Sequence, residues 1–284
     1  MASGCLITSP KSNNENTHNN MDITIITPCL NHGRFLADCL ASVASQEGVE
    51  LEHLVMDGCS TDNSAEVAAG FLGAVWISEK DGGMSAAINK GFGRAKGDWV
   101  MWLNADDRLK PGVLAEVLRR LRGSDADVVY GGYDFINESG DFLRSMRMPR
   151  WSRFVHTHHH CSIGSTAAFY RRATVLDAGF RLREDFRYVM DGEFYARLDA
   201  AGKTFERIPV AVADFRLHGG NASMIHLGKI RNMERILAAE RQHVESRAIR
   251  RAYGITLFAD PYLNGLVDGV LWLAARGLKG VLKW

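Results

Sequence analysis

Short runs of β-branched and aromatic residues alternate with amphipathic segments over the first half of the chain. An apolar run bounded by turn residues is typical of a buried strand, and apolar residues three and four positions apart are typical of a helix packed on a sheet. Strands that alternate with helices indicate βαβ units and a largely parallel sheet. Five strands are predicted at residues 23–27, 51–56, 75–77, 99–103 and 128–130, and helices at 35–44, 65–72, 84–92 and 111–121.

The second half shows weaker periodicity. A hairpin is predicted over residues 134–144, a helix from 191 to 198, and one or two short strands within 205–215. A long amphipathic helix is predicted from 225 to about 253, with Leu237 and Val244 on its apolar face, and the tail repeats apolar residues at helical spacing. We therefore divide the chain into a disordered leader (1–20), an α/β domain (21–223, with halves 21–125 and 126–223) and a helical C-terminal region (224–284).

Composition narrows the protein class. Of 284 residues, 46% are hydrophobic and 24% are charged, which excludes a wholly disordered, collagenous or coiled-coil chain. The formal net charge of +1 argues against a dedicated nucleic-acid binder. Five cysteines without a CxxC pair predict neither a disulfide framework nor a structural zinc site and favour the reducing cytoplasm. No apolar run is long enough to predict a membrane-spanning helix.

Three polar loops follow predicted strands, at residues 28–31, 57–62 and 104–107. Ligands of such sheets bind beyond the carboxyl ends of the strands, so we expect these loops to share one crevice. Carboxylates in the loop 104–107 follow a hydrophobic strand and are costly to desolvate without a cation. Magnesium or manganese carrying a diphosphate would satisfy them, whereas the alternative interpretation is a cap for the helix that begins at Pro111. Asp57 could bind a nucleobase, and Asp62 is predicted to cap the next helix.

These loops also carry a family resemblance, dense over residues 22–115 and looser to about 223. Five motifs occur in the order and spacing of glycosyltransferase family 2, whose members are inverting, nucleotide-sugar-dependent enzymes with a GT-A fold. The motifs are TPCLN at 27–31, MDGCSTD at 56–62, SEKDGGMSAAINKG at 78–91, GDW at 97–99 and WLNADD at 102–107.

The resemblance implies roles for individual residues. Pro28, Asn31 and Asp57 would line the base and ribose pocket, and Asp81 and Asn89 would border it. Residues 104–106 would be the metal-binding D-x-D motif, with Asp106 the metal ligand and Asp107 a second candidate.

Two positions depart from the family pattern. Asn104 replaces the first carboxylate, which leaves a ribose or metal contact and removes a charge. Ala86 stands where relatives often have an acidic residue, which puts one donor contact in doubt.

The second half resembles the acceptor side of the same family. Asp191, in YVMDGEFYARL at 188–198, falls where the general base sits, with Glu193 as the second choice and helix capping as the alternative for Asp191. His218, in RLHGGNAS at 216–223, could be a third metal ligand or a phosphate donor, or have neither role. The histidine run at 156–160 is predicted to be an acceptor-side loop rather than a zinc site.

The resulting prediction is a metal-dependent inverting transferase that moves a sugar from a nucleotide sugar to a hydroxyl of a glycan or lipid-linked acceptor. UDP is the default nucleotide, with GDP and dTDP open. The alternatives are a non-catalytic nucleotide-sugar-binding protein and a sugar nucleotidyltransferase. Basic residues between 229 and 251 and an apolar stripe in the tail suit a peripheral helix on an anionic membrane, such as the inner face of the plasma membrane. Packing on the catalytic domain or on a second subunit is the alternative.

Overall fold

A computed structural model describes residues 21–158, 161, 163–221 and 233–253. The predicted leader and the tail beyond residue 253 lie outside these residues. Within the described residues nine strands form one sheet: β1 Ile23–Cys29, β2 Leu51–Asp57, β3 Ala74–Ser78, β4 Trp99–Trp102, β5 Arg108–Leu109, β6 Val128–Ile136, β7 Phe142–Met146, β8 Ala168–Arg171 and β9 Phe205–Arg216. Seven α-helices accompany the sheet in the described part: α1 Gly33–Ala44, α2 Ser64–Ala69, α3 Met84–Phe92, α4 Val113–Arg122, α5 Arg153–His158, α6 Met190–Ala200 and α7 Met233–Tyr253.

The sheet has the order β3-β2-β1-β4-β8-β6-β9-β5, with β7 paired to the side of β6. Neighbours in the first four strands are all parallel, as the alternating pattern predicts. From β8 onward the sheet is mixed, because β8 runs antiparallel to both β4 and β6 while β6 and β9 are parallel. The predicted hairpin is formed by β6 and β7, and the segment predicted as one or two short strands is the single long strand β9.

Alternation along the buried strands sends side chains to both faces of the sheet. Ile23, Ile25, Trp99 and Met101 pack towards α1 and α4. Ile26, Val100 and Trp102 pack on the opposite face, towards α3 and α6. A strand that is covered on both faces has a nearly continuous apolar sequence, and for this reason the buried strands could be predicted from the sequence.

An aromatic stack fills the core between β4, β8 and α6. The rings of Trp102 and Tyr170 lie 5.2 Å apart and nearly parallel, and Phe194 meets Tyr170 edge-on at 5.6 Å. The hydroxyls of Tyr170 and Tyr195 are 2.9 Å apart, so two buried phenols satisfy each other. This packing fixes helix α6 against the centre of the sheet.

Helix α7 packs with a different face from the one that the sequence predicts. Leu237 and Val244 are 45% and 67% exposed. Ala239 and Ser246 are buried instead, and Ile249 packs against the core. Spacings of seven and three residues place these residues on one side of the helix, so the predicted apolar face was wrong. Among the described residues no helix is long and apolar enough to cross a membrane.

His53 on β2 is a buried titratable group inside this fold. Its Nε2 lies 2.9 Å from the Thr27 hydroxyl, and the ring is 4% exposed. Burial lowers the pKa of His53 from 6.5 to about 4. The folded protein therefore keeps this imidazole neutral at pH values where the unfolded chain protonates it.

The free energy of unfolding should consequently fall as the pH drops from about 6.5 towards 4, because only the unfolded chain gains the proton. The limiting loss is about 3 kcal/mol from this group. A His53→Gln variant keeps a polar partner for Thr27 but cannot titrate. Urea unfolding between pH 7.5 and 4.5 should show a shallower decline for the variant. Equal slopes for the two proteins in this window would contradict the assignment.

Candidate active site

The carboxyl ends of β2, β1 and β4 lie side by side at one edge of the sheet. Backbone hydrogen bonds hold the two outer strand ends to β1, from Gly58 to Cys29 and from Leu103 to Ile26, both at 2.9 Å. Two strand spacings place the loops after β2 and β4 about 10 Å apart. That span suits a ligand with two polar ends, such as a nucleoside diphosphate.

Asp57, the last residue of β2, has its carboxylate fixed by neighbouring hydroxyls. It accepts hydrogen bonds from the Ser60 hydroxyl at 2.5 Å, the Ser60 backbone N–H at 3.0 Å and the Ser78 hydroxyl at 2.6 Å. Asp57 is 3% exposed. A buried carboxylate held by several donors is preorganised to accept a further hydrogen bond from a ligand, as a base-binding residue must.

The loops after β1 and β2 are joined through Asn31. Its side-chain oxygen accepts hydrogen bonds from the backbone N–H of Thr61 at 2.8 Å and of Asp62 at 3.3 Å. Asn31 and Cys59 adopt left-handed backbone conformations, with φ of 56° and 67°. Such conformations are unfavourable for most side chains and are common at ligand sites. Asp62 accepts from the backbone N–H of Ser64, the first residue of α2, but the N-cap position predicted for it is held by Asn63.

Asp81 joins this group, but Asn89 does not. A Cβ on Gly58 would lie 2.9 Å from a carboxylate oxygen of Asp81, so Asp81 sits directly beside the Asp57 loop. The Asn89 amide instead donates to the Leu182 carbonyl at 2.9 Å and accepts from its N–H at 2.8 Å. These contacts give Asn89 no place beside Asp57, and they join α3 to the segment before α6. Pro28 lies in β1, which continues one residue beyond it.

The loop after β4 holds the second polar group. Asp106 accepts hydrogen bonds from His218 Nε2 at 2.8 Å and from the Asn221 amide at 3.1 Å. His218 Nδ1 accepts from the Gly220 backbone N–H, so its Nε2 carries the proton donated to Asp106. Strand β9 thus delivers His218 to Asp106, although 112 residues separate them in the chain.

Asp107 faces inward beside Asp106. It accepts hydrogen bonds from the Arg216 backbone N–H at 2.9 Å and from the Asn104 amide at 3.1 Å. Burial, followed by the neighbouring charge of Asp106, raises the pKa of Asp107 well above its ordinary value. Donors occupy both carboxylate oxygens of Asp107, which is 1% exposed, so Asp106 is the better candidate of the two for a cation ligand.

Arg216 organises this loop and was not recognised as a functional residue in the sequence. Arg216 is 1% exposed. Its guanidinium donates to the carbonyls of Asp106 and Glu138, both at 2.9 Å, and to the Asp38 carboxylate at 2.8 Å. Its charge also lies 5.1 Å from the centre of the Phe35 ring. The signal in the sequence was an arginine at the end of the predicted strand segment, two residues before His218.

The two acidic residues of α6 have different surroundings. Both carboxylate oxygens of Glu193 accept hydrogen bonds from Arg197, at 2.8 and 2.9 Å, and the residue is 1% exposed. Glu193 is therefore occupied by an ion pair within its helix. Asp191 is half-buried and accepts from the Gly192 N–H at 2.8 Å. The structure thus favours Asp191 over Glu193 as a base.

Asp191 lies near the same edge of the sheet. Met190, its neighbour, accepts a hydrogen bond from the Ser85 hydroxyl at the start of α3, four residues after Asp81. Burial raises the pKa of Tyr133 to about 12, and the charges of Asp107 and Asp191 both contribute to the rise. Tyr133 therefore lies within electrostatic reach of the loop after β4 and of the start of α6.

The histidine run at 156–160 is not a loop over its first part, because residues 153–158 form α5. His156 is 1% exposed, and its Nε2 donates to the Gly192 carbonyl at 2.7 Å. This histidine therefore ties α5 to α6. Residues 159 and 160 lie outside the described residues.

Comparison of the sequence with known proteins places the chain in a family. The family model described as "Glycosyl transferase family 2" matches residues 24–176, more than half of the chain. A PGL/p-HBAD biosynthesis glycosyltransferase of Mycobacterium bovis is 32% identical over 217 residues, covering 71% of this chain and 79% of that protein.

The chain belongs to glycosyltransferase family 2.

Other relatives of this family 2 protein match shorter parts. Glycosyltransferase GlyG of Streptococcus pneumoniae is 32% identical over 126 residues, which is 42% of each protein. The uncharacterized protein MT1568 of Mycobacterium tuberculosis is 30% identical over 198 residues. The chain spans less than half of GlyG and 61% of MT1568.

Solved structures confirm the GT-A fold expected for family 2. S. aureus TarS 1–349 in complex with UDP-GlcNAc has a TM-score of 0.60 at 16% identity, covering 77% of this chain and 70% of that one. The mannosyltransferase PcManGT from Pyrobaculum calidifontis, in complex with GDP-Man and Mn²⁺, has a TM-score of 0.56 at 15% identity, covering 92% and 81%. At these identities the likeness shows the shared fold.

The side chains at this edge of the sheet suit a divalent cation that is shared with the phosphates of a bound nucleotide. Asp106 offers a carboxylate. The His218 imidazole, 2.8 Å away, would ligate through Nε2 once its proton has moved to Nδ1 and the Gly220 contact is released. The side-chain oxygen of Asn104 is buried and has no hydrogen-bond partner among the described residues. No three His, Cys, Asp or Glu side chains converge into a metal site within the part of the chain that the structure describes. Asp106, His218 and Asn104 together would leave coordination positions for phosphate oxygens, as is usual for magnesium.

Replacing Arg216 should disturb the Asp106 loop of the family 2 protein more than replacing a charged residue on the surface does. An Arg216→Lys variant cannot donate to both carbonyls and the Asp38 carboxylate at once, because an ammonium is a point donor without the planar fork. We expect a loss of about 2 kcal/mol in the free energy of unfolding and weaker UDP binding with manganese.

Arg34→Lys is the matched control, because Arg34 pairs with the Glu138 side chain from the surface and is 70% exposed. It should behave as the wild type in urea unfolding and in calorimetry. Equal effects of the two substitutions would show that Arg216 does not organise the loop.

Proposed function

We propose that this protein is a metal-dependent, inverting glycosyltransferase that moves a sugar from a nucleoside-diphosphate sugar to a hydroxyl group of a glycan or lipid-linked acceptor. The observation that carries the proposal is the pairing of Asp106 with His218 at the same sheet edge as Asp57. One end of this edge suits a base and ribose, and the other suits a diphosphate with its cation. UDP is the default nucleotide, and TarS, a structural neighbour, was solved with UDP-GlcNAc.

Donor binding would use the preorganised carboxylates and amides. Asp57 accepts from an N–H of the base, with Pro28, Asn31 and Asp81 lining the same pocket. Asp106, His218 and Asn104 would hold magnesium or manganese. When bound, the cation neutralises charge that develops on the departing diphosphate.

Transfer would then follow by a single displacement. The Asp191 carboxylate takes the proton of the acceptor hydroxyl, and the hydroxyl oxygen attacks the anomeric carbon. The bond from that carbon to the diphosphate oxygen breaks on the opposite side, and its electron pair leaves with the nucleoside diphosphate. Attack and departure on opposite sides invert the anomeric configuration. A positioned base of this kind is typically worth about 10²–10⁴ in rate.

The proposal extends to where the protein is located in the cell and how it assembles. The basic residues of the C-terminal region support a cytoplasmic protein that contacts the inner face of the plasma membrane, where lipid-linked acceptors are presented. A homo-oligomer that uses the same region is the competing arrangement.

A donor screen tests the proposed activity. UDP-glucose, UDP-galactose, UDP-GlcNAc, GDP-mannose and dTDP-rhamnose are offered with manganese or with EDTA, and released nucleotide is measured with water and with alkyl glycosides as acceptors. We expect one donor to be turned over in the presence of manganese. Nucleotide binding without turnover of any donor would favour the non-catalytic alternative.

Substituting Asp106 tests the cation ligand. Asp106→Ala should abolish manganese-dependent turnover and lower manganese-dependent UDP binding at least tenfold, because it removes the charged ligand. Calorimetry with UDP, with and without manganese, measures the second effect. Asp141→Ala, at an exposed hairpin turn, is the control. Undiminished manganese dependence in Asp106→Ala would place the cation elsewhere.

A pair of substitutions on α6 tests the base. Asp191→Asn should abolish turnover with unchanged UDP binding and stability, because its amide cannot accept the proton. Glu193→Gln should instead lower the free energy of unfolding by about 3 kcal/mol, because it breaks a buried ion pair with Arg197. Near-normal turnover by Asp191→Asn would remove Asp191 from the mechanism.

A further inference from the structure

Residues 182–189 form an irregular segment that leads directly into α6. Asp191 is the second residue of that helix, so the segment sets where its carboxylate lies. Phe186 and Val189 are buried and anchor the segment to the core. The backbone between them belongs to no strand of the described residues. Side chains from two helices bond the Phe186 carbonyl and the N–H groups of Arg187 and Tyr188.

Helix α3 holds one side of this segment. The Asn89 amide pairs with both backbone groups of Leu182, and the Ser85 hydroxyl donates to the Phe186 carbonyl at 2.8 Å. Helix α3 begins three residues after Asp81, which lies beside the Asp57 loop. The segment is therefore attached on this side to the pocket proposed for the donor.

Helix α7 holds the other side through Gln242 and Glu245. The side-chain oxygen of Gln242 accepts hydrogen bonds from the backbone N–H groups of Arg187 at 2.8 Å and of Tyr188 at 3.0 Å. Its amide nitrogen donates to the Asp185 carbonyl at 3.3 Å. Glu245, one turn further along, pairs with Arg183 at 3.0 Å.

Gln242 is itself held in place by the packing of α7. It is half-buried and lies between Ala239 and Ser246, which are 0% and 1% exposed and face the domain. A side chain on the packed face of a helix keeps its direction, so its amide acts as a fixed template for three backbone groups. Without it, two adjacent N–H groups three and four residues before Asp191 would lose their partner.

We propose that Gln242 is a positioning residue that sets the location of the Asp191 carboxylate relative to the bound donor. The proposal rests on the proposed function, because it assumes that Asp191 is the base. It makes the C-terminal helix part of the active-site support. Misplacement of a reacting group by about 1 Å can cost about 10²-fold in rate, so the contact affects turnover rather than donor affinity.

The test compares three variants of the full chain. Gln242→Met keeps the length and helix propensity of the side chain but lacks the polar atoms. Gln242→Glu retains an oxygen acceptor for both N–H groups. Val244→Ala is the matched control on the exposed side of the same helix, where Val244 is 67% exposed.

Three quantities are measured: turnover of the sugar nucleotide selected by the donor screen, UDP affinity with manganese, and hydrogen exchange of the Arg187 and Tyr188 amides. We expect Gln242→Met to lower kcat about tenfold or more, to change UDP affinity less than twofold, and to accelerate exchange at both amides. Gln242→Glu should restore most of the turnover and protection, and Val244→Ala should match the wild type. A purely structural role would lower UDP affinity and stability together with kcat.

The outcomes separate this proposal from the proposed function. Absence of turnover by the wild-type protein would overturn the proposed function and this proposal with it. Wild-type turnover together with undiminished kcat in Gln242→Met would overturn this proposal alone. Unchanged amide exchange in Gln242→Met, or a Gln242→Glu variant as impaired as Gln242→Met, would also overturn it.

Discussion

The site depends on keeping two adjacent carboxylates at the end of a fully buried strand. Asp106 and Asp107 are 8% and 1% exposed, and neighbouring negative charges in such a place repel each other and lose their hydration. Strand β9 offsets this cost by bringing the Arg216 backbone and guanidinium, together with His218, over the loop. The same contacts leave Asp106 at the sheet edge with an imidazole beside it.

The parallel and the mixed parts of the sheet both contribute residues to the candidate site. The parallel part, β3-β2-β1-β4, presents loop after loop at one edge, because every strand runs the same way. The mixed part begins at β8 and supplies the groups that approach from the other side, on β9 and on α6. The two parts meet at β4 and at the contact between Ser85 and Met190, which attaches the start of α6, where Asp191 lies, to helix α3.

Around this site, amide side chains form the hydrogen bonds that backbone groups of irregular segments would otherwise lack. Asn31 binds the loop after β2, Asn89 binds Leu182, and Gln242 binds the segment before Asp191. Each amide side chain replaces a strand or helix partner that an irregular segment lacks. Three separate parts of the chain are thereby fixed relative to one another without regular secondary structure between them.

The sequence by itself determined the strand and helix order of the first half, the edge at which the loops gather, and the family. Period and turn residues decide these features locally, because a strand buried on both faces needs a continuous apolar run. It also predicted Asp57, Asp81, Asp106 and His218 as site residues from motifs near strand ends, and the structure brings Asp81 to the Asp57 loop and His218 to Asp106. The role of Arg216, the ion pair that occupies Glu193, the direction of Asn89 and the buried face of α7 were decided only by the tertiary structure. Each depends on a partner distant in the chain or on which side of a helix meets the core, and neither local spacing nor residue type encodes that choice.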